Sequence, residues 1–180
     1  MKLFIALIIL FSFFLNCTNK SRRESGVSEQ AKSEGLAIFL NESFGMVDPN
    51  SSPQYPDYYG GYYFDENGKL VILIVKDHKN YKDDLNHRVR SRDYITIPCD
   101  YSYNDLLDVH KRVTDFFLDE ANESIINEIT INSLGIDSRN NRILISLREA
   151  TAEKIALFKN NVVDSPMIVF EEWNGLIMAE

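Results

Sequence analysis

The pattern of apolar and polar positions divides the chain into a leader, a tether and a longer folded region. Residues 3–15 are apolar except for Ser12, and the chain becomes polar from Thr18 onward. Lys2 followed by an apolar run of this length is typical of an export signal, whereas a membrane-spanning helix needs about 20 residues. We predict a signal peptide over residues 1–16, a polar tether over 17–28, a folded module over 29–172 and a tail over 173–180.

The first half of the folded module predicts a helix followed by a β-hairpin. Glu29–Phe44 carries apolar residues at helical spacing. Asn67-Gly68 lies between two runs of aromatic and β-branched residues, which predicts a hairpin with a two-residue type I′ turn. The second run, Lys69–Val75, is apolar at consecutive positions, so we expect a central strand that is covered on both faces.

The second half predicts an alternation of strands and helices. Ser102 and Asp105 resemble a capping box, from which a helix runs to about Asn122, and Thr151 opens another helix. Asp77–Arg92 is charged and is interpreted as a loop. The predicted strands are Tyr94–Ile97, which Pro98 ends, Ile129–Ile136, Arg142–Leu147 and Met167–Phe170. The order βαββαβ predicts an α+β, ferredoxin-like fold with an extra N-terminal helix and β-hairpin.

Composition supports one folded domain and argues against nucleic-acid binding. Apolar residues make up 44% of the chain, enough to bury a core. The net charge is −8, and removal of the leader with Lys2 leaves 18 cations against 27 carboxylates, or −9. An acidic domain lacks the basic surface that phosphates require, and we interpret the basic cluster His87–Arg92 as a solvated loop.

The cysteine at the end of the apolar run resembles the acylated cysteine of a bacterial lipobox. Asn16 and Phe14 depart from the residues usual before such a cysteine, so ordinary cleavage with release and a retained N-terminal anchor stay open as alternatives. Acylation at Cys17 implies an exported lipoprotein of the cell envelope that is held on the membrane by its lipid. It would leave Cys99 without a disulfide partner, and we expect that thiol to be buried at a strand end.

No catalytic, cofactor-binding or metal site is legible in the sequence. His78, His87 and His110 lack the spacing of a metal site, and there is no nucleophile elbow or glycine-rich phosphate loop. Pairs of adjacent carboxylates diverge on a helix or strand and are interpreted as solvated. The dense tyrosines have two interpretations, packing across a core or an aromatic surface for a peptide or glycan: Tyr55, Tyr58, Tyr59, Tyr62 and Tyr63.

Several stretches together resemble one family. They are Tyr55–Gly61, Tyr63-x-Asp65-x-Asn67-Gly68-Lys69, Tyr101–Leu106 and Leu134-Gly135-Ile136-Asp137 followed by Asn140-Asn141-Arg142. In this order they are similar to the pro-regions of bacterial chymotrypsin-like serine proteases of the α-lytic protease and streptogrisin type, over about Tyr55 to Glu172. The resemblance implies an α+β pro-domain that assists the folding of a protease and inhibits it, with its tail near the active site.

The sequence contains no protease triad and ends at Glu180, where such a protease would begin. We therefore expect a non-enzymatic lipoprotein that binds a protein partner, with a serine protease in trans as the sharper form of this expectation. We expect contacts with the membrane through Cys17 and none with nucleic acid. Two other classes stay open: an enzyme with an unrecognised site, and a surface or adhesion module that uses the tyrosine-rich strand.

Overall fold

The computed structural model describes residues 29–45 and 52–173. A first helix, α1, covers residues 29–43. The strands are β1 (Tyr59–Phe64), β2 (Leu70–Val75), β3 (Ile95–Cys99), β4 (Ile131–Asp137), β5 (Arg142–Leu147) and β6 (Ile168–Glu172). The other helices are α2 (Lys82–Val89), α3 (Tyr103–Leu118), α4 (Glu123–Ile129) and α5 (Ala152–Asn161), with a 3₁₀ turn at Glu120–Asn122. No helix in the described ranges has the length and apolar character needed to cross a membrane.

The strands form two three-stranded sheets, in the orders β1-β2-β3 and β4-β5-β6. β4 and β5 are antiparallel, and β5 and β6 are parallel with α5 as their crossover. The predicted α+β class is confirmed, and from β3 to β6 the elements follow the order βαββαβ with one additional helix, α4, after α3. The strand that opens this order, β3, lies beside β2 in the first sheet. The fully apolar β2 is the central strand of that sheet, as predicted.

By its contacts the chain divides into two compact units. The first comprises the described residues up to Gln54 together with Phe64–Val71 and Tyr81–Ile95; the second comprises Tyr55–Tyr63, Ile72–Asn80 and the described residues from Thr96 onward. In the second unit, α3, β5 and α5 bury one continuous core, made of Leu106, Val109, Val113, Ile143, Ile145, Leu147 and Phe158. The ring of Phe158 meets that of Phe170 on β6 edge-to-face at 5.1 Å.

The sequence analysis interpreted Asp77–Arg92 as a loop, and this was wrong, because the segment contains α2. Leu85 and Val89, four residues apart, are fully buried and give this charged helix a narrow apolar stripe. The basic cluster His87–Arg92 is correspondingly packed in part. The guanidinium of Arg88 lies 5.6 Å from the centre of the Phe44 ring, and that of Arg90 lies 4.4 Å from the centre of the Phe39 ring. Two apolar positions are too few for periodicity to distinguish a short helix from a loop.

The end of α3 also differs from the prediction. The Ser102–Asp105 capping box is present, but α3 ends at Leu118 rather than near Asn122. The Asp119 carboxylate accepts a hydrogen bond from Ala121 N at 3.0 Å, which starts a 3₁₀ turn, and the unpredicted α4 follows. α4 carries Ile129 into the core of the second unit, so β4 begins at Ile131 and not at Ile129.

The hairpin between β1 and β2 is confirmed, but its turn is not type I′. Gly68 has a φ of 77°, whereas Asn67 has no positive φ. Gly68 N donates to Asp65 O and Asp65 N donates to Lys69 O, both at 3.0 Å, which is the pattern of a type I turn followed by a left-handed glycine. The Asp65 carboxylate accepts from Asn67 N and Lys69 N at 2.8 Å, and this Asx turn holds Asn67 out of the left-handed region.

Candidate functional site

Within the second unit, residues of three of the resembling stretches meet at the side chain of Asn141. Its Oδ1 accepts from Tyr101 N at 2.8 Å, and its Nδ2 donates to Gly60 O at 3.1 Å and to Tyr101 O at 3.0 Å. Asn141 is buried and has a φ of 53°, a left-handed conformation that asparagine tolerates well. The amide therefore fastens the β4–β5 turn to the start of β1 and to the segment after β3.

A group of charged residues surrounds this amide. Arg142 donates to Asn141 O at 2.8 Å and to the Asp100 carboxylate at 3.2 Å, and its guanidinium lies 4.8 Å from the centre of the Tyr101 ring. Lys76 donates to the same carboxylate. The hydrogen bonds from Lys76 and then Arg142 hold the pKa of Asp100 below its usual value. Because these groups are exposed to solvent, the pairing orients them more than it stabilises the fold.

Cys99 is the buried strand-end residue that the sequence predicted. It is the last residue of β3, is 6% exposed and donates from Sγ to Tyr101 O at 3.4 Å. Burial raises the pKa of this thiol to about 11, so it stays protonated at neutral pH and is a poor nucleophile. Pro98 does not end β3 as predicted, because β3 is last in its sheet and an edge strand tolerates proline.

The tyrosines favour the packing interpretation over that of an exposed aromatic surface. Tyr58 and Tyr59 are buried. The ring of Tyr55 stacks on that of Tyr59 at 5.7 Å and meets that of Tyr103 edge-on at 4.8 Å, while Asn104 donates to the backbone oxygen of Tyr55 at 3.0 Å. These contacts join the lead-in to β1 with the first turn of α3, which accounts for the density of tyrosines in mechanical terms.

The structure does not bring the three histidines into a site. His78 and His87 are exposed and His110 is half-buried on α3. In the ranges 29–45 and 52–173, no cluster of three or more His, Cys, Asp or Glu residues could hold a metal ion. The expectation that the protein uses no metal or cofactor stays a prediction.

The surface with the features of a protein-binding site is the outer edge of β6. In the sheet order of the described residues β6 is an end strand, and Val169 and Trp173 are each 44% exposed. Ile143 N donates to Met167 O at 2.8 Å and Trp173 N donates to Leu147 O at 2.7 Å. Since backbone groups alternate in direction along a strand, the N–H and C=O groups of Phe170 and Glu172 point away from β5.

Two family models match the chain. One, described as a Pro-like N-terminal domain, matches residues 19–99, and the other, a Pro-like C-terminal domain, matches residues 104–173. The chain carries a pro-region-like module. The N-terminal match ends with Cys99, the last residue of β3, so β3 falls within the N-terminal domain of the family. This agrees with the pairing of β3 with β2 in the first sheet. A search of curated proteins gave no match.

Three predicted features lie outside the described residues: the leader over residues 1–16, the tether over 17–28 with Cys17, and residues 174–180 of the tail. Of the tail, Trp173 alone falls in the described range. The grouping of Lys76, Asp100 and Arg142 was not predicted, because they come from three separate elements. The triplet Asn140-Asn141-Arg142 was the sequence signal for this grouping, but the residues that it contacts are brought next to it only by the fold.

Proposed function

We propose that this chain is an exported, non-enzymatic protein whose pro-region-like module binds a protein partner. The observation that carries the proposal is the pair of matches over residues 19–99 and 104–173, which together span the folded region. Because the module resembles the pro-regions of chymotrypsin-like serine proteases, the proposed partner is a protease of this type that is a separate polypeptide chain. The module would assist the folding of that protease and inhibit it.

The outer edge of β6 supports this proposal with a surface of suitable chemistry. A free strand edge pairs with an extended segment of another chain through backbone hydrogen bonds, while alternate side chains provide specificity. Phe170 and Glu172 direct their backbone groups outward, and Val169 and Trp173 add exposed apolar area. Burial and a raised pKa make Cys99 a poor nucleophile, so this thiol gives no support to the alternative of an enzyme with an unrecognised site.

Acylation at Cys17 would place the module on a membrane outside the cytoplasm. The support for this part is the sequence alone: the apolar run, the abrupt polar switch and the cysteine between them. A tether over residues 17–28 spans at most about 40 Å when extended, so the partner would be bound close to the bilayer surface.

The test uses the full chain in neutral detergent and chymotrypsin-like serine protease domains that are produced without their own pro-regions. We expect the full chain to raise the yield of active protease on refolding and to inhibit peptide hydrolysis by the folded enzyme. Glu172→Pro removes an outward N–H from the edge, whereas Glu172→Ala keeps it and serves as the matched control. We expect the proline variant to lose both effects and the alanine variant to retain them.

Refolding yields and hydrolysis rates that do not change with any such protease would overturn the proposed partner. If the proline and alanine variants act equally well, the partner is not bound through the β6 edge. Circular dichroism of both variants establishes that the comparison concerns folded proteins.

A further inference from the structure

A concave site in the second unit concentrates positive charge in an acidic chain. The depression has a volume of about 170 Å³ and lies beside the turn between β4 and β5. Its lining residues include three cations, Lys76, Arg139 and Arg142, against one carboxylate, Asp100, whereas the whole chain carries a net charge of −8. A cleft lined by one sign of charge focuses the electrostatic potential and raises the local concentration of ions of the opposite sign.

The two arginines of this depression are held by aromatic rings. The guanidinium of Arg139 lies 4.5 Å from the centre of the Tyr63 ring, and the guanidinium of Arg142 lies 4.8 Å from the centre of the Tyr101 ring. A guanidinium held over a ring is a preorganised, planar donor, the geometry that matches the two oxygens of a carboxylate. Asp100 accepts from both Lys76 and Arg142 and so holds these two cations next to each other in the lining.

One part of the wall is apolar and comes from the strands of the first sheet. It comprises Leu73, Ile97 and Pro98, together with the ring of Tyr63. A pocket with apolar walls and a few placed charges binds a group that is itself apolar with one charge. A protein cavity of about 150 Å³ accommodates benzene, so a depression of about 170 Å³ has room for a group the size of one side chain.

We propose that this depression binds one carboxylate carried on an apolar stem, as presented by the C-terminal residue or an acidic side chain of a polypeptide. The site is separate from the β6 edge. None of the residues that line the depression belongs to β6. Arg142 begins β5 beside the start of β6, where Ile143 pairs with Ile168, whereas Trp173 bonds to Leu147 at the other end of β5, five residues and about 17 Å from Arg142. The proposal therefore goes beyond the edge-binding function and stands independently of it.

The test is a titration of the ¹⁵N-labelled full chain in neutral detergent, followed by backbone amide shifts at constant pH and ionic strength. N-acetyl-leucine models a C-terminal carboxylate, and N-acetyl-glutamic acid α-amide models an acidic side chain. N-acetyl-leucinamide is the neutral control, and inorganic phosphate is the control for a non-carboxylate anion. We expect saturable shifts of the amides of Ile97, Cys99, Asp100 and residues 139–142 with the carboxylates. The carboxylate that saturates the shifts at the lower concentration identifies the source.

The variant pair distinguishes specific binding from general charge effects. Lys76→Gln combined with Arg139→Gln removes two exposed cations from the site, and we expect binding to weaken about tenfold. Lys111→Gln removes one exposed cation from α3 in the same unit and should leave binding unchanged. Melting temperatures establish that the variants are folded, and Lys76→Gln alone, expected to weaken binding severalfold, replaces the double variant if that one melts lower.

Three results would overturn the proposal: no saturable shift at these amides with either carboxylate, equal shifts with the neutral amide, or saturation by phosphate in place of both carboxylates. Undiminished binding in the folded double variant would do so as well. Because the probes are small molecules, none of these results bears on the refolding and inhibition assays, and failure of those assays leaves this site standing.

Discussion

The buried side-chain amide of Asn141 joins three segments of the second unit through hydrogen bonds. Asn141→Ala removes three hydrogen bonds and leaves the buried Gly60 O and the partly buried backbone groups of Tyr101 without this partner. An unsatisfied buried group costs about 1–3 kcal/mol, so we expect a loss of about 3 kcal/mol in the free energy of unfolding, measured by urea denaturation.

The neighbouring Asn140 provides the control for that substitution. Asn140 is exposed and its amide bonds only within the turn, to Asp137 at 2.6 Å. Asn140→Ala should cost less than about 1 kcal/mol. Equal losses in the two variants would mean that the turn matters as a whole and that the fastening by Asn141 does not.

Gly60 marks a close approach that excludes any side chain. A Cβ at Gly60 would overlap Sγ of Cys99 and would crowd Leu73 Cβ and Tyr101 O, both at 3.2 Å. We expect Gly60→Ala to destabilise the protein by about 2–3 kcal/mol, as overpacking does, and Cys99→Ala to recover part of this loss in the double variant.

The matched control is Gly135→Ala on β4, because a Cβ there meets no atom within 4 Å. Its unfolding free energy should stay within about 0.5 kcal/mol of the original protein, as at other unconstrained surface positions. If Cys99→Ala recovers nothing, the crowding comes from the backbone of Tyr101 and not from the thiol.

At the scale of elements, the hairpin between β1 and β2 tests which turn the chain forms. Gly68→Ala places a Cβ 2.8 Å from Cβ of Gln30 at a φ of 77°, and we expect a loss of about 1–2 kcal/mol. Asn67→Ala should cost less than about 0.5 kcal/mol, because Asn67 does not adopt a positive φ. If thermal unfolding shows that Asn67→Ala loses more stability than Gly68→Ala, the turn is type I′ after all.

An ion group joins elements of the first unit and gives it a defined acid sensitivity. Asp93 accepts from Lys32 on α1 and from Lys69, which also pairs with Glu29 at 2.9 Å. The hydrogen bonds from Lys32 and Lys69 lower the pKa of Asp93 from 3.8 to about 2. Since the pKa is lower in the folded state, this stabilisation is complete above about pH 4 and disappears as the pH falls towards 2.

The measurement is the melting temperature of the original protein and of Asp93→Asn from pH 6 to pH 2. We expect the original protein to melt higher at pH 6 and the difference to vanish near pH 2. Salt at 1 M should shrink the difference at pH 6, because exposed ion pairs are screened. A difference that persists at pH 2 would assign the effect to packing or to neutral hydrogen bonds.

The elements that the sequence predicted are those with a strong local signal. β2 is apolar at each position, α3 begins with a capping box, and Thr151 caps α5 by accepting from Lys154 N at 3.3 Å. α2 and α4 were missed because each buries one or two apolar residues, too few for a period. The fastening by Asn141 depends on residues 40 and 81 positions away, which no local pattern encodes.

At the scale of the whole molecule, the pairing of strands into sheets was harder to predict than the strands and helices themselves. The order βαββαβ is correct, but β3 pairs with β2, which lies at the other end of the α2 segment. The buried strand β2 takes a neighbour on each of its two edges, β1 and β3. The order of strands along the chain does not specify this choice. The resemblance was the more reliable guide, because residues of three of its four stretches are joined by the hydrogen bonds of Asn141.

Membrane attachment is a prediction about the whole molecule, and it depends on one residue, Cys17. Acylation at Cys17 should appear in mass spectrometry as a mature N-terminus that begins at this residue with an added lipid mass. Cys17→Ser should abolish that mass and move the protein from the membrane fraction to a soluble or uncleaved form, since acyl chains contribute about 0.8 kcal/mol per buried methylene. Cys99→Ser is the matched control and should leave the distribution unchanged, because that thiol is buried within the fold. A mature N-terminus at any other residue would exclude the lipid anchor and leave cleavage with release, whereas an intact leader would indicate a retained N-terminal anchor.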